Sequence, residues 1–153
     1  MLNTLGKKKG IIICGFAGIG KTEFPSFVPY YQSSKYYDLP STFYRKDAGW
    51  EKLYVDCAEA FIDKYDYVFV STHDMVINEL IRRRANFYIV YPKKHCKQEY
   101  RERFIKRGSS KEYIDRFMKN WDLFVDKIDN LNYGNKISLR TGQYLSDVIS
   151  RIR

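Results

Sequence analysis

An apolar run, IIIC at positions 11–14, breaks directly into a glycine-rich turn, GFAGIGKT at positions 15–22. The run shows no alternation of polar and apolar residues. It therefore suits a strand covered on both faces, as in a parallel sheet. Glycines at 15, 18 and 20 allow backbone conformations that side chains disfavour. A helix is expected to begin within the loop at Lys21, limited to a first turn or kinked by Pro25.

The rest of the chain repeats this strand-then-helix order. YYDLPSTFY (36–44) reads as a short strand ending at Asp38 and then a turn. From Trp50, the residues Leu53, Tyr54, Cys57, Phe61 and Tyr65 follow at steps of three and four, which predicts a helix with Trp50 in the core. YVFVST (67–72) is a second buried strand, with a helix over 73–84 after it; FYIVYP (87–92) is a third, stopped by Pro92. A helix over 93–107 closes at Gly108, and a single helix is expected from Lys111 to Asn130, capped by Ser109 or Ser110, with Trp121 in the core. KISL (136–139) makes a last strand and 143–152 a last helix. These intervals predict an α/β three-layer sandwich with a mostly parallel sheet of about five strands. At 153 residues the chain is read as one domain, with 1–9 as a mobile N-terminus and about 93–120 as a lid-type segment. Ligands of such folds bind beyond the carboxyl ends of the strands, where 15–22, Asp38, 71–74 and the residues after Pro92 would gather.

The net charge of +9 is uneven: residues 82–111 hold 11 basic and 2 acidic residues. A concentrated basic segment implies an anionic partner (nucleotide phosphates, a nucleic-acid backbone or an acidic protein) or merely a solvated face. Charge does not choose between them. No apolar run is long enough to cross a bilayer, so no membrane partner is expected. Cys14, Cys57 and Cys96 are scattered without metal-ligand spacing, which reads as reduced, buried thiols in a cytoplasmic protein.

Residues 15–22 fit the phosphate-binding pattern G-x-x-x-x-G-K-[ST] at every fixed position. In such a loop, successive backbone N–H groups turn inward on phosphate oxygens, and the following helix N-terminus adds positive potential. Gly15, Ala17, Gly18, Ile19, Gly20, Lys21, Thr22 and Glu23 are thus the candidate ATP-binding residues. Lys21 would reach the β- and γ-phosphates and the Thr22 hydroxyl would hold Mg²⁺. A kinase must also supply charge to the transferring group. Arg103 and Arg107, four residues apart on one face of the 93–107 helix, are the candidates. The bland alternative is a solvated helix laced by Glu99–Arg103 and Glu102–Lys106 pairs. The Arg82-Arg83-Arg84 run reads as a solvated helix end.

The loop, Asp38 in DLPS, the VFVSTH strand, and YP…EYRERFIKRG followed by NWD together resemble small nucleoside-monophosphate-kinase-like (adenylate kinase-like) P-loop proteins of bacteriophages and mobile elements. The resemblance runs from about Gly10 to Ile149. It implies an ATP- and Mg²⁺-dependent phosphotransferase acting on a phosphate-bearing small acceptor, as a monomer or homodimer. Lys21, Arg103, Arg107 and Asp38 would be the catalytic set. One departure is clear: the strand beside the loop ends Ser71-Thr72-His73-Asp74, not in a carboxylate, so either Asp74 would join Thr22 at the metal one turn late or Ser71 would hold the metal through water with Asp38 assisting. The acceptor pocket would lie within 28–60. Two other functions fit the same residues: a kinase for nucleic-acid 5′-hydroxyls with Asp38 as base, and a nucleotide-binding regulatory NTPase without kinase turnover.

Overall fold

A computed structural model describes residues 9–21, 36–42 and 44–152. The expected helix start beyond Lys21, the N-terminal residues 1–8, and Thr22 and Glu23 lie outside the described residues. Among the described residues five strands form one sheet: β1 (Ile11–Gly15), β2 (Tyr36–Asp38), β3 (Tyr67–Val70), β4 (Phe87–Pro92) and β5 (Lys136–Leu139). Their order is β2-β3-β1-β4-β5, and every pairing is parallel. β1 is therefore the central strand, with Ile13 opposite Phe69 on one side and Tyr88 on the other. All residues of β1 and β3 are buried, which is why neither alternates in sequence. The edge strands β2 and β5 are partly exposed.

Six α-helices are present among the described residues: α1 (Trp50–Phe61), α2 (Asp74–Arg82), α3 (Lys97–Lys106), α4 (Lys111–Lys119), α5 (Trp121–Asp129) and α6 (Leu145–Val148). Ser110 caps α4, its Oγ accepting from the Tyr113 N–H at 3.1 Å, and Gly108 takes a left-handed φ of 84° after α3. Trp50 and Trp121 are buried, as their spacing predicts.

Two helices differ from expectation. The single helix over 111–130 is two, divided at Asn120. At the break the Asn120 side-chain amide folds back to donate to the Arg116 carbonyl at 2.9 Å, an acceptor it shares with its own backbone N–H at 3.2 Å. The next residue, Trp121, is fully buried and its indole N–H donates to the Lys94 carbonyl at 2.8 Å. That anchor fixes the direction in which α5 starts. The last helix is also shorter than 143–152: four α residues pass into a 3-10 turn at Ile149–Arg151.

Arg83 is not a solvated helix end. Its guanidinium donates to Glu79 at 2.6 Å, Asp56 at 2.7 Å, Glu59 at 2.6 Å and the Lys52 carbonyl at 3.1 Å, tying α2 to α1. Glu79 is buried, and hydrogen bonds from Arg82 and Arg83 hold its pKa down at about 2. A carboxylate depressed in the folded state stabilises fully above its unfolded pKa, and that contribution is lost as pH falls toward the folded value. The melting temperature should therefore fall between about pH 4.5 and pH 2 more steeply in the wild type than in Glu79→Gln. Parallel pH–Tm curves for the two proteins would show that the pair contributes nothing.

Candidate functional site

The glycine loop is fixed from below by its own apolar residues. Phe16 and Ile19 are buried, and Phe16 meets Phe117 and Trp121 edge to face at 5.5 Å each. The Phe16 N–H donates to the Val90 carbonyl at 3.0 Å, and the Leu145 N–H donates to the Ile19 carbonyl at 2.8 Å. The loop thus hangs between β4 and the start of α6. Gly18 and Gly20 hold φ of 86° and 98°, and a Cβ on Gly20 would lie 2.9 Å from the Tyr144 ring. Only glycine meets both demands. The N–H groups of Ala17, Gly18, Gly20 and Lys21 donate to no acceptor among the described residues. A glycine turn with undonated amides has the chemistry of an anion nest.

Lys21 doubles back. Its side-chain stem passes so close to Gly15 that a Cβ there would stand 2.9 Å from the lysine Cδ. The ammonium lies 3.7 Å from Asp38, the last residue of β2. The parallel sheet accounts for this meeting, since β1 and β2 flank β3 and all three end at the same edge.

A cavity of about 580 Å³ opens beside the loop, at the carboxyl ends of β1 and β3. Lys21, Ser41, Ser71, His73 and Asp74 give it polar lining; Tyr113, Phe117 and Phe124 give it an aromatic one. Tyr54 braces the polar part: its hydroxyl donates to the Leu39 carbonyl at 2.6 Å and accepts from the Ser71 N–H at 3.0 Å. Burial raises the Tyr54 pKa, so it stays a neutral phenol. His73 shares a 2.7 Å hydrogen bond with Ser71 and sets its ring edgewise to Trp50 at 5.3 Å. Desolvation, then the nearby Lys46 ammonium, lowers its pKa, and the ring is neutral at physiological pH.

The remaining sequence candidates divide. Arg103 is directed at the loop backbone: it donates to the Gly18 carbonyl at 2.8 Å, to the Gln143 carbonyl at 2.9 Å and to the Glu99 carboxylate. Its guanidinium stacks over Tyr100 at 4.4 Å and Tyr144 at 3.8 Å. Glu99 also accepts from the Gly142 N–H at 3.0 Å, so α3, the glycine loop and the turn after β5 are tied through one arginine. Arg107 is exposed, donates to Ser109 at 3.0 Å and lies over Phe104. Asp74 opens α2 and accepts from Lys127 of α5 at 2.7 Å. Among the described residues no group of three or more His, Cys, Asp or Glu could by itself hold a metal ion. No helix among them is long and apolar enough to cross a membrane. The three cysteines are free thiols, Cys14 and Cys96 buried.

Sequence reasoning missed Lys127 and the aromatic lining. Phe124 and Lys127, three apart, share a helix face, and that spacing was the available signal. Which way the face points depends on the break at Asn120. No family model matches the chain, and comparison with curated proteins gives no match.

Proposed function

We propose that the protein is a P-loop phosphotransferase that moves the γ-phosphate of ATP, with Mg²⁺, onto a small nucleotide acceptor, a nucleoside or deoxynucleoside monophosphate. Its architecture would be the three-layer α/β/α sandwich of the nucleotide-kinase-like proteins. The observation that carries this reading is the glycine turn at the end of the central strand, with four N–H groups that donate to no acceptor among the described residues and Lys21 folded over Gly15 beside an open cavity. Amides and a lysine converging there match the needs of a triphosphate tail.

In this reading Gly15, Ala17, Gly18, Ile19 and Gly20 cradle the phosphates, with Glu23 just beyond them. Lys21 leaves Asp38 to pair with the β- and γ-phosphates. The metal, held by the Thr22 hydroxyl and the nucleotide, would neutralise charge on the phosphate oxygens. Asp38 and Asp74, each paired with a lysine, would be the carboxylates that accept from its water shell. Arg103 keeps the loop in shape by holding the Gly18 carbonyl, and Arg107 is the exposed arginine free to approach the phosphates. Catalysis consists mainly of positioning and charge neutralisation.

The test is incubation with ATP and MgCl₂ against nucleoside monophosphates, nucleosides and 5′-hydroxyl oligonucleotides, with detection of ADP and phosphorylated product. Acceptor-dependent ADP formation with a monophosphate is expected. Product only from oligonucleotides would instead make Asp38 the base of a 5′-hydroxyl kinase, and ADP formation indifferent to every acceptor would indicate a regulatory NTPase.

A further inference from the structure

We infer that the side of the cavity formed by α4 and α5 is the subsite for the acceptor nucleotide, with Lys127 as the cation that receives the acceptor's own phosphate. This rests on the phosphotransferase reading and restricts it to acceptors that already carry a phosphomonoester. A phosphate entering a cavity loses water and needs cationic partners there. Among the described residues, two basic side chains line this cavity, Lys21 and Lys127. Lys21 belongs to the glycine loop. Arg103 is committed to Gly18, Glu99 and Gln143, and the exposed Arg107, which donates to Ser109 and Tyr113, is assigned to the transferring phosphates; neither lines the cavity. That leaves Lys127 for a second phosphate.

Its setting suits the role. The Lys127 ammonium is held by Asp74 at 2.7 Å, and both side chains are about half exposed (48% and 55%), so the pair exchanges readily with solvent or ligand. A compact ammonium on a flexible stem can swing from carboxylate to phosphate without any change of fold. Lys21 is likewise parked on a carboxylate, 3.7 Å from Asp38. Two lysines, each balanced by one aspartate until an anion arrives, thus face one cavity. Beside Lys127 stand aromatic rings: Phe124, one turn earlier on α5, and Phe117 of α4, whose ring centroids are 5.2 Å apart. Both rings are half-buried and line the cavity. A cation flanked by ring surface matches a phosphate attached to a base and sugar better than it matches inorganic phosphate or a hydroxyl-ended acceptor.

The test uses the full chain, with titration calorimetry and steady-state kinetics on the common ribo- and deoxyribonucleoside 5′-monophosphates and their parent nucleosides. At least one monophosphate should bind the wild type about tenfold or more tightly than its nucleoside, and Lys127→Ala should weaken that monophosphate by about tenfold or more, each tenfold being ~1.4 kcal/mol. The KM for ATP should stay within about twofold of wild type, because Lys127 is assigned to the acceptor alone. Monophosphate binding that is unaltered in Lys127→Ala, or absent from the wild type, overturns the inference, as does an equal loss of ATP affinity. The two proposals fail separately. Lys127-dependent monophosphate binding without ATP-dependent product upholds this subsite and removes the phosphotransferase reading. Product formation with an unchanged acceptor KM in Lys127→Ala does the reverse.

Discussion

Lys21→Ala is expected to lower ATP-dependent phosphate transfer by on the order of 10³-fold or more, while its far-ultraviolet circular dichroism stays that of the wild type. Lys21 is the basic side chain in the loop itself, and its stem lies over the end of β1. In the proposed reaction its ammonium neutralises charge that builds on the bridging and terminal phosphate oxygens. Arg103 cannot take that place, because it is committed to the loop backbone. The fold should be indifferent to the change. The partner lost is Asp38, 3.7 Å away with a side chain 49% exposed, and water can solvate it. Ion pairs of that kind contribute little to stability, about 0–1 kcal/mol. Turnover within about tenfold of wild type would overturn the assignment of the loop.

Arg103→Ala should lower stability by about 3 kcal/mol or more, which for a chain of this length is a fall in Tm of roughly 6–12 °C. The side chain is only 11% exposed. Its removal leaves the Gly18 and Gln143 carbonyls without that donor and takes the cation from a Glu99 that is 24% exposed. Truncating one partner of a buried charge pair costs more than the pair contributes, because the other charge stays behind. Arg103→Lys should recover little. An ammonium keeps the charge but has no flat fork to span Gly18, Glu99 and Gln143 while lying between the Tyr100 and Tyr144 rings. Turnover should fall with stability, since the Gly18 carbonyl belongs to the glycine loop that the proposed reaction uses. A Tm unchanged in Arg103→Ala, with turnover still lost, would return Arg103 to the direct role in charge transfer that its helical spacing implies.

The comparison of these two residues shows how far a sequence can be read. Lys21 is legible because its role follows from its neighbours: a strand, a glycine turn and a lysine lie within a dozen residues. The strands were legible for the same reason, and Asp38 could be placed at a strand end. Arg103 was visible as a charged residue on a helix face, beside an equally visible Glu99 four residues earlier. Both readings of that face, phosphate clamp and intrahelical pair, fit the spacing. The structure shows the pair, and with it contacts to Gly18, Gln143 and Tyr144 that no local pattern could signal.

The same limit applies to the cavity. The segment 28–60 was the expected place for an acceptor, and Ser41 and Thr42 from it do line the cavity. The aromatic lining comes instead from α4 and α5, whose direction depends on Asn120 and the docking of Trp121 against the Lys94 carbonyl. Periodicity records which residues share a face of a helix, not what that face will meet. The local pattern alone was enough to establish the glycine loop, the buried strands and the caps, since each is set by interactions within a few residues. Folding decided the central position of β1, the approach of Lys21 to Asp38, the binding of Arg103 to the loop and the place of Lys127 at the cavity. Those depend on which distant segments a parallel sheet and its crossovers bring to one edge, and distance along the chain carries no such information.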